Sequence, residues 1–214
     1  MCYLGVDLDQ SLDGSKIAEK ILKKGNSRLK YLFRQAGCLN LASRKLLASA
    51  LIQCHFDYAC SAWYSGLQKS YQLKLQTLQN KVIRFVLGLS PRSHIGSDEL
   101  SAIRWLPVFE RVSQIKLNNM HRIVHGDAPS YLRESVSMVS GVHSIGTRHR
   151  LSSISLPRVG ISGSKSFRHT ATKIWNSLPP PIKLIEQLSL FKTKARFYLW
   201  EKLVSRFNDV YVYY

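Results

Sequence analysis

Three places in the chain carry side chains at spacings that chemistry uses. Asp7 and Asp9 lie two residues apart. On an extended strand such residues face the same side, where two carboxylates can share a Mg²⁺ ion. Two-metal phosphoryl transfer also needs an acid from a neighbouring element. The chain has 13 Asp and Glu in all, and none forms a second cluster, so the pair reads as a solvated strand end. His121 and His125 stand at i and i+4 of a helical stretch, a spacing that chelates zinc. No Glu follows His121 and no third ligand is in view, so they read as polar-face histidines. Cys54, His55 and Cys60 lie in an apolar helical stretch without CxxC spacing. Cys54 and Cys60 read as buried thiols, and all four cysteines, Cys2 and Cys38 included, as free thiols of a reducing compartment. No Ser-His-Asp pattern and no Gly-rich phosphate loop can be assigned. The residues offer no catalytic centre, and neither metal nor cofactor is expected in this chain.

Cationic side chains are the stronger signal. Lys and Arg number 31 against 13 acids, a formal charge of +18. A compact body with that surplus repels itself unless an anion is near, and nucleic-acid backbones are the commonest such anion. The surplus divides as +8 over residues 1–90, +1 over 91–140 and +9 over 141–214, so two basic lobes flank a nearly neutral middle. Lys81 and Arg84 fall three apart on the polar side of a helix, among Gln72, Gln76, Gln79 and Asn80. Such a face offers donors without competing acids, an arrangement that tracks phosphates. Arg148, His149, Arg150 and Arg158 form a cationic loop with Ser, Gly and Thr147, and no acid occurs from Ser135 to Ile185.

The elements that must position these groups are mainly helical. Met1–Asp9 reads as one short strand, followed by a turn at Asp13-Gly14. Ser15 can cap a Lys-rich helix whose Ile17, Ile21, Leu22, Leu29 and Leu32 recur at helical steps. A second helix is expected from about Leu41 to Tyr64, and a third from Lys69 to Leu87 with Gly88 as its stop. Asp98–Trp105 gives a short helix, and Pro107 opens another that runs to Gly126. Periodicity disappears from Ser140 to Gly163, which reads as a loop or short strands around Ile154–Leu156. Helices resume at Lys165–Leu178 and near Ser189, separated by Pro179-Pro180-Pro181. Trp63, Trp105 and Trp175 sit on apolar stripes and read as core. No signal peptide or membrane span is apparent, so an intracellular protein of nucleus or cytoplasm is expected.

Four segments, in this order, resemble the C-terminal ends of non-LTR (jockey-like, LINE-type) retrotransposon reverse transcriptases. The first is Tyr3-Leu-Gly-Val6, followed by a Lys-rich helix. The second is His55-Phe-Asp-Tyr58, Trp63 and Leu75-Gln-Thr-Leu-Gln-Asn-Lys-Val-Ile-Arg84. The third is Leu106-Pro through Arg111, with Ile123-Val-His-Gly-Asp-Ala-Pro-Ser-Tyr-Leu132. The fourth is Thr147-Arg148, Ser166-Phe167, Ala171, Trp175-Asn-Ser-Leu-Pro179, Ile182 and Phe191-Lys192. The resemblance implies a remnant of the last palm strand (1–9), a thumb-like helical domain (10–90) and a linking helical region (91–139). A basic C-terminal region (140–206) and a tail (207–214) follow. The family's paired palm aspartates would precede residue 1, and Asp7 and Asp9 do not match them. The chain is therefore expected to have no polymerase activity alone, with Mg²⁺ confined to the palm. RNA and DNA, as a hybrid duplex, are the implied partners, rather than a small molecule or a membrane. Lys81, Arg84, Arg148 and Arg168 are the implied backbone contacts, with Arg150 and Arg158 joining them from the cationic loop. A host protein retained for RNA or DNA binding, or a relic of an element copy, is the alternative.

Overall fold

The computed structural model describes residues 2–7, 13–138, 153–161 and 163–211. Among these the fold is mainly helical, as the spacing of apolar residues requires, with one two-stranded sheet. Two units divide at Val112/Ser113, inside helix α7 (Val108–Val124).

Where a single N-terminal strand is expected, the chain doubles back. Strands β1 (Cys2–Tyr3) and β2 (Val6–Asp7) pair antiparallel, Tyr3 against Val6. Leu4 and Gly5 between them both have positive φ, at 47° and 78°. Two left-handed central residues are what a tight hairpin turn needs to match the twist of its strands. Lys20 holds the hairpin through Asp7 at 2.7 Å, and the Tyr58 hydroxyl donates to the Leu4 carbonyl at 2.5 Å.

The first unit is built on two parallel helices, α1 (Ser15–Arg34) and α5 (Lys69–Leu87). Glu19 meets Tyr71, Gly25 lies against Leu78, and Phe33 packs edge-on to Phe85 at 5.2 Å. Ile17, Ile21, Leu29 and Leu32 are buried on one helix, and Leu75, Leu78, Val82 and Val86 on the other. The expected cap Ser15 is instead the first helical residue. Its N–H donates to Asp13 Oδ1 at 2.8 Å, and Gly14 turns the chain in with φ 77°.

The connection from α1 to α5 is not the one long helix expected over 41–64. Helix α2 (Leu41–Ala48), capped by Asn40, widens into a π turn at Ser49–Gln53 and continues as α3 (Cys54–Asp57). Tyr58 is then extended and Ala59 is left-handed with φ 49°, which breaks the axis before α4 (Cys60–Trp63). The Trp63 indole donates to the freed Tyr58 carbonyl at 3.0 Å. Helix α6 (Ser97–Ala102) follows α5, its start satisfied by Glu99 accepting from the Gly96 N–H.

Helix α8 (Ser130–Glu134) belongs to the second unit. Its core gathers Leu117 and Met120 of α7, Trp175 of α9 (Phe167–Asn176) and Phe191, Ala195 and Leu199 of α11 (Leu188–Tyr211). Pro179–Pro181 start the short helix α10 (Pro180–Lys183), since a proline at the first helical position loses no hydrogen bond. The short-strand expectation near Ile154 is met by a single antiparallel bridge to Met138. Asn176 fixes that segment through both amide atoms: Nδ2 donates to Ile154 O at 2.8 Å, and Oδ1 accepts from Ile154 N at 2.9 Å.

A Cβ on Gly14 would sit 2.8 Å from the Trp63 carbonyl oxygen while holding a left-handed backbone. Gly14→Ala is expected to cost about 1–3 kcal/mol in urea unfolding. Gly37→Ala, with nothing within 4 Å of its added methyl, serves as the neutral control. Equal midpoints for the two variants would refute this account of the turn.

Candidate nucleic-acid interface

A groove of about 250 Å³ runs between α1 and α5, lined by Leu22, Asn26, Lys74, Thr77, Leu78 and Lys81. Leu22 and Leu78 make its apolar floor. Lys74 and Lys81 are exposed and seven residues apart, two helical turns or about 10.5 Å along one face. On α1, exposed Lys23 and Lys30 stand three residues before and four after Asn26, on the same flank. The rim is thus cationic on both helices. The acid at its end, Glu19, accepts from the Tyr71 hydroxyl at 2.5 Å, and that bond raises the Tyr71 pKa. The Lys74 ammonium lies 4.9 Å from the Tyr71 ring centre. The groove can receive an extended anion with an apolar edge.

The glutamines that read as part of a phosphate-tracking face do something else. Gln79 is fully buried, and its Nε2 donates to the Leu106 carbonyl at 3.0 Å. Gln76 accepts from the Val108 N–H at 2.9 Å and donates to Gln79 and Asn80. Gln72 donates to Leu67 O. An α-helix leaves its first N–H groups without internal partners; Gln76 meets the first turn of α7 and Gln79 the loop before it, while Gln72 binds the segment just before α5. The polar stripe is a joint, and the expectation of a phosphate face over these residues is corrected.

Of the cations singled out from sequence, Lys81 is exposed on the groove rim. Arg84 is half-buried and spends Nε on the Ser93 carbonyl at 2.8 Å, tying down the loop after α5. Arg158 is exposed on the segment after Ile154, and Arg168 is exposed in the first turn of α9. Arg148 and Arg150 lie outside the described residues, as does Asp9. Lys74, Thr77 and Asn26 were not singled out. The Lys74/Lys81 repeat was visible in the sequence, but only the parallel partner helix turns it into one side of a groove. Trp63 and Trp175 are core as expected, while Trp105 is half-buried.

A second pair of motif residues meets across the first unit. Arg111 binds Asp57 in bidentate fashion, Nε to Oδ1 at 3.1 Å and Nη2 to Oδ2 at 2.9 Å, with Gln53 adding a bond at 3.2 Å. The carboxylate pushes the guanidinium pKa up. Such paired forks fix geometry as well as charge.

His121 is not a polar-face residue. It is fully buried, stacks on His125 and Phe191 with ring centres 4.2 and 4.3 Å away, and donates from Nε2 to Ile185 O at 2.6 Å. His125 reaches Lys183 O at 3.3 Å. Buried Lys183 donates to Asn176 O at 3.1 Å, closing the C-terminus of α9. These three residues fasten the chain around α10. Among the described residues no group of three His, Cys, Asp or Glu is placed to hold a metal ion, and no helix is long and apolar enough to cross a membrane.

Comparison of the chain with protein-family models, with curated proteins and with solved structures finds no match.

Burial lowers the His121 pKa from its ordinary 6.5, and His125 adds to the effect. A proton on Nδ1, which has no partner, would be a buried unpaired donor. The unfolded chain accepts that proton and the folded chain resists it, so stability is full above the ordinary value and declines as pH falls below it. His55 shifts in the same direction. The thermal midpoint is expected to drop between about pH 7.5 and about pH 5.5, less steeply in His121→Leu than in wild type. A midpoint flat across that range would contradict the buried neutral histidine.

Proposed function

We propose that this chain is the nucleic-acid-binding C-terminal part of an RNA-directed DNA polymerase of the non-LTR retrotransposon class. It holds template and primer by phosphate contacts while a palm elsewhere in the polymerase does the chemistry. One observation carries the reading: exposed lysines, Lys23 and Lys30 on α1 and Lys74 and Lys81 on α5, flank a groove between two packed helices. The order of the four motif segments supports the polymerase assignment.

In this reading the groove lysines contact successive phosphates of one strand. Lys is a flexible point charge that tolerates varied phosphate positions, and it suits sequence-independent holding better than base recognition. Each contact releases condensed counterions, so affinity falls steeply with salt. The hybrid is recognised by its shape and backbone. Arg84, engaged with Ser93, contributes by shaping the end of α5, and Lys74 takes its place beside Lys81 as a contact.

Fluorescence anisotropy with an RNA–DNA hybrid across a chloride series tests this directly. Lys74→Ala/Lys81→Ala together are expected to flatten the log–log salt dependence by about 1–2 units. Arg84→Ala is expected to lower the melting temperature more than the slope. An unchanged slope in the double variant removes the groove from the interface. Absence of hybrid binding by the wild type at low ionic strength ends the reading altogether.

A further inference from the structure

The far side of α1 from the groove carries a second concentration of positive charge. Arg28 follows Asn26 by two residues, which turns it by about 200° around the helix. It faces the π turn at Ser49–Gln53, and its Nη1 donates to the Leu51 carbonyl at 2.6 Å. A π turn carries one residue more than an α turn and is often a functional feature. The same guanidinium touches His55 Nε2. Lys24, exposed, stands one turn before Arg28 on the same flank of α1.

No carboxylate among the described residues bonds to any of these three groups. Asp57, the acid nearest His55 in sequence, is held by Arg111. Like charges gathered without a counter-ion repel one another, and an anion relieves that cost. Arg28 is already fixed in orientation by the Leu51 carbonyl, and its Nε and Nη2 have no partner among the described residues. A fixed guanidinium with open donors beside an imidazole suits a tetrahedral oxyanion. Tyr31, 58% exposed, lies three residues beyond Arg28, within stacking reach of a base next to that anion. Free phosphate would make no use of the tyrosine.

We infer that Lys24, Arg28 and His55 form a second phosphate site, separate from the groove, that receives one phosphodiester of a bound nucleic-acid strand. The inference rests on the nucleic-acid reading above and adds where a second stretch of strand is held. Arginine only donates, so His55 Nε2 accepts from Arg28 and the neutral ring keeps its Nδ1–H as a donor for the phosphate. Burial, then Arg28 and Lys24, hold the His55 pKa below its ordinary value, in keeping with that neutral ring.

The test uses the full chain and the RNA–DNA hybrid, with folding of each variant checked by circular dichroism. Lys24→Ala changes only an exposed side chain and is expected to weaken binding about threefold, with the salt slope reduced by about 0.7–0.9. Arg28→Gln, which keeps a donor for Leu51, is expected to weaken it about fivefold. His55→Phe, which removes the ring donor, is expected to weaken binding about threefold. The inference is overturned if Lys24→Ala and Arg28→Gln bind as wild type while Lys74→Ala/Lys81→Ala binds more weakly, an outcome that leaves the nucleic-acid reading standing. Inorganic phosphate titrated alone separates the two sources of the ligand. Saturable uptake of the free ion, with hybrid affinity unchanged by Lys24→Ala, also overturns it. A wild-type chain that ignores the hybrid takes down both readings.

Discussion

The first unit depends on the close approach of two helices that run in the same direction. At Gly25 there is no side chain, and a methyl group there would fall 2.6 Å from Leu78 Cδ2. The missing side chain lets Leu78 pack directly on the backbone of α1, beside the groove that both helices line. Parallel neighbours cannot be joined by a tight turn, because the chain must return to the starting end before the second helix begins. The return path is the broken run of α2, the π turn, α3 and α4, and its irregularity follows from having to change direction while staying packed. The π turn and the left-handed Ala59 are where that change is made.

Polar side chains hold these irregular pieces at fixed points. Gln76 and Gln79 at the start of α7, Asn176 on Ile154, and Lys183 on the end of α9 bond backbone groups of packed segments, and the half-exposed Asp57–Arg111 pair adds a bidentate tie. A buried unpaired polar group costs about 1–3 kcal/mol, so each such bond selects one arrangement over alternatives that lack it. These residues have structural roles, which separates them from the exposed lysines.

What is left to meet a partner is largely lysine. Apart from buried Lys183, the joints use amides, one aspartate and a few arginines, whose planar donors suit directed bonds. Lys23, Lys24, Lys30, Lys74 and Lys81 are exposed on the flanks of α1 and α5. This division explains why Lys81 and Arg84, equal on a helical wheel, have different roles. Arg84 can reach back to the Ser93 carbonyl, while Lys81 faces the groove.

Local spacing was enough to reveal the helical class, the span of α5 with its glycine stop, the entry to α7 after Pro107 and the surplus of charge. Those features depend on residues within a few turns of one another, where periodicity and backbone preference act. The doubling back at Leu4-Gly5 was hidden because a leucine with positive φ is not a turn signal by type. The glutamine stripe on α5 and the histidines of α7 were misread for a related reason. A polar residue on a helix shows its spacing in the sequence, but not whether a carbonyl from a distant segment lies against it. Only the packed chain decides which polar groups are consumed by such partners and which stay open to solvent, because burial is a property of the assembled neighbours and not of the residue.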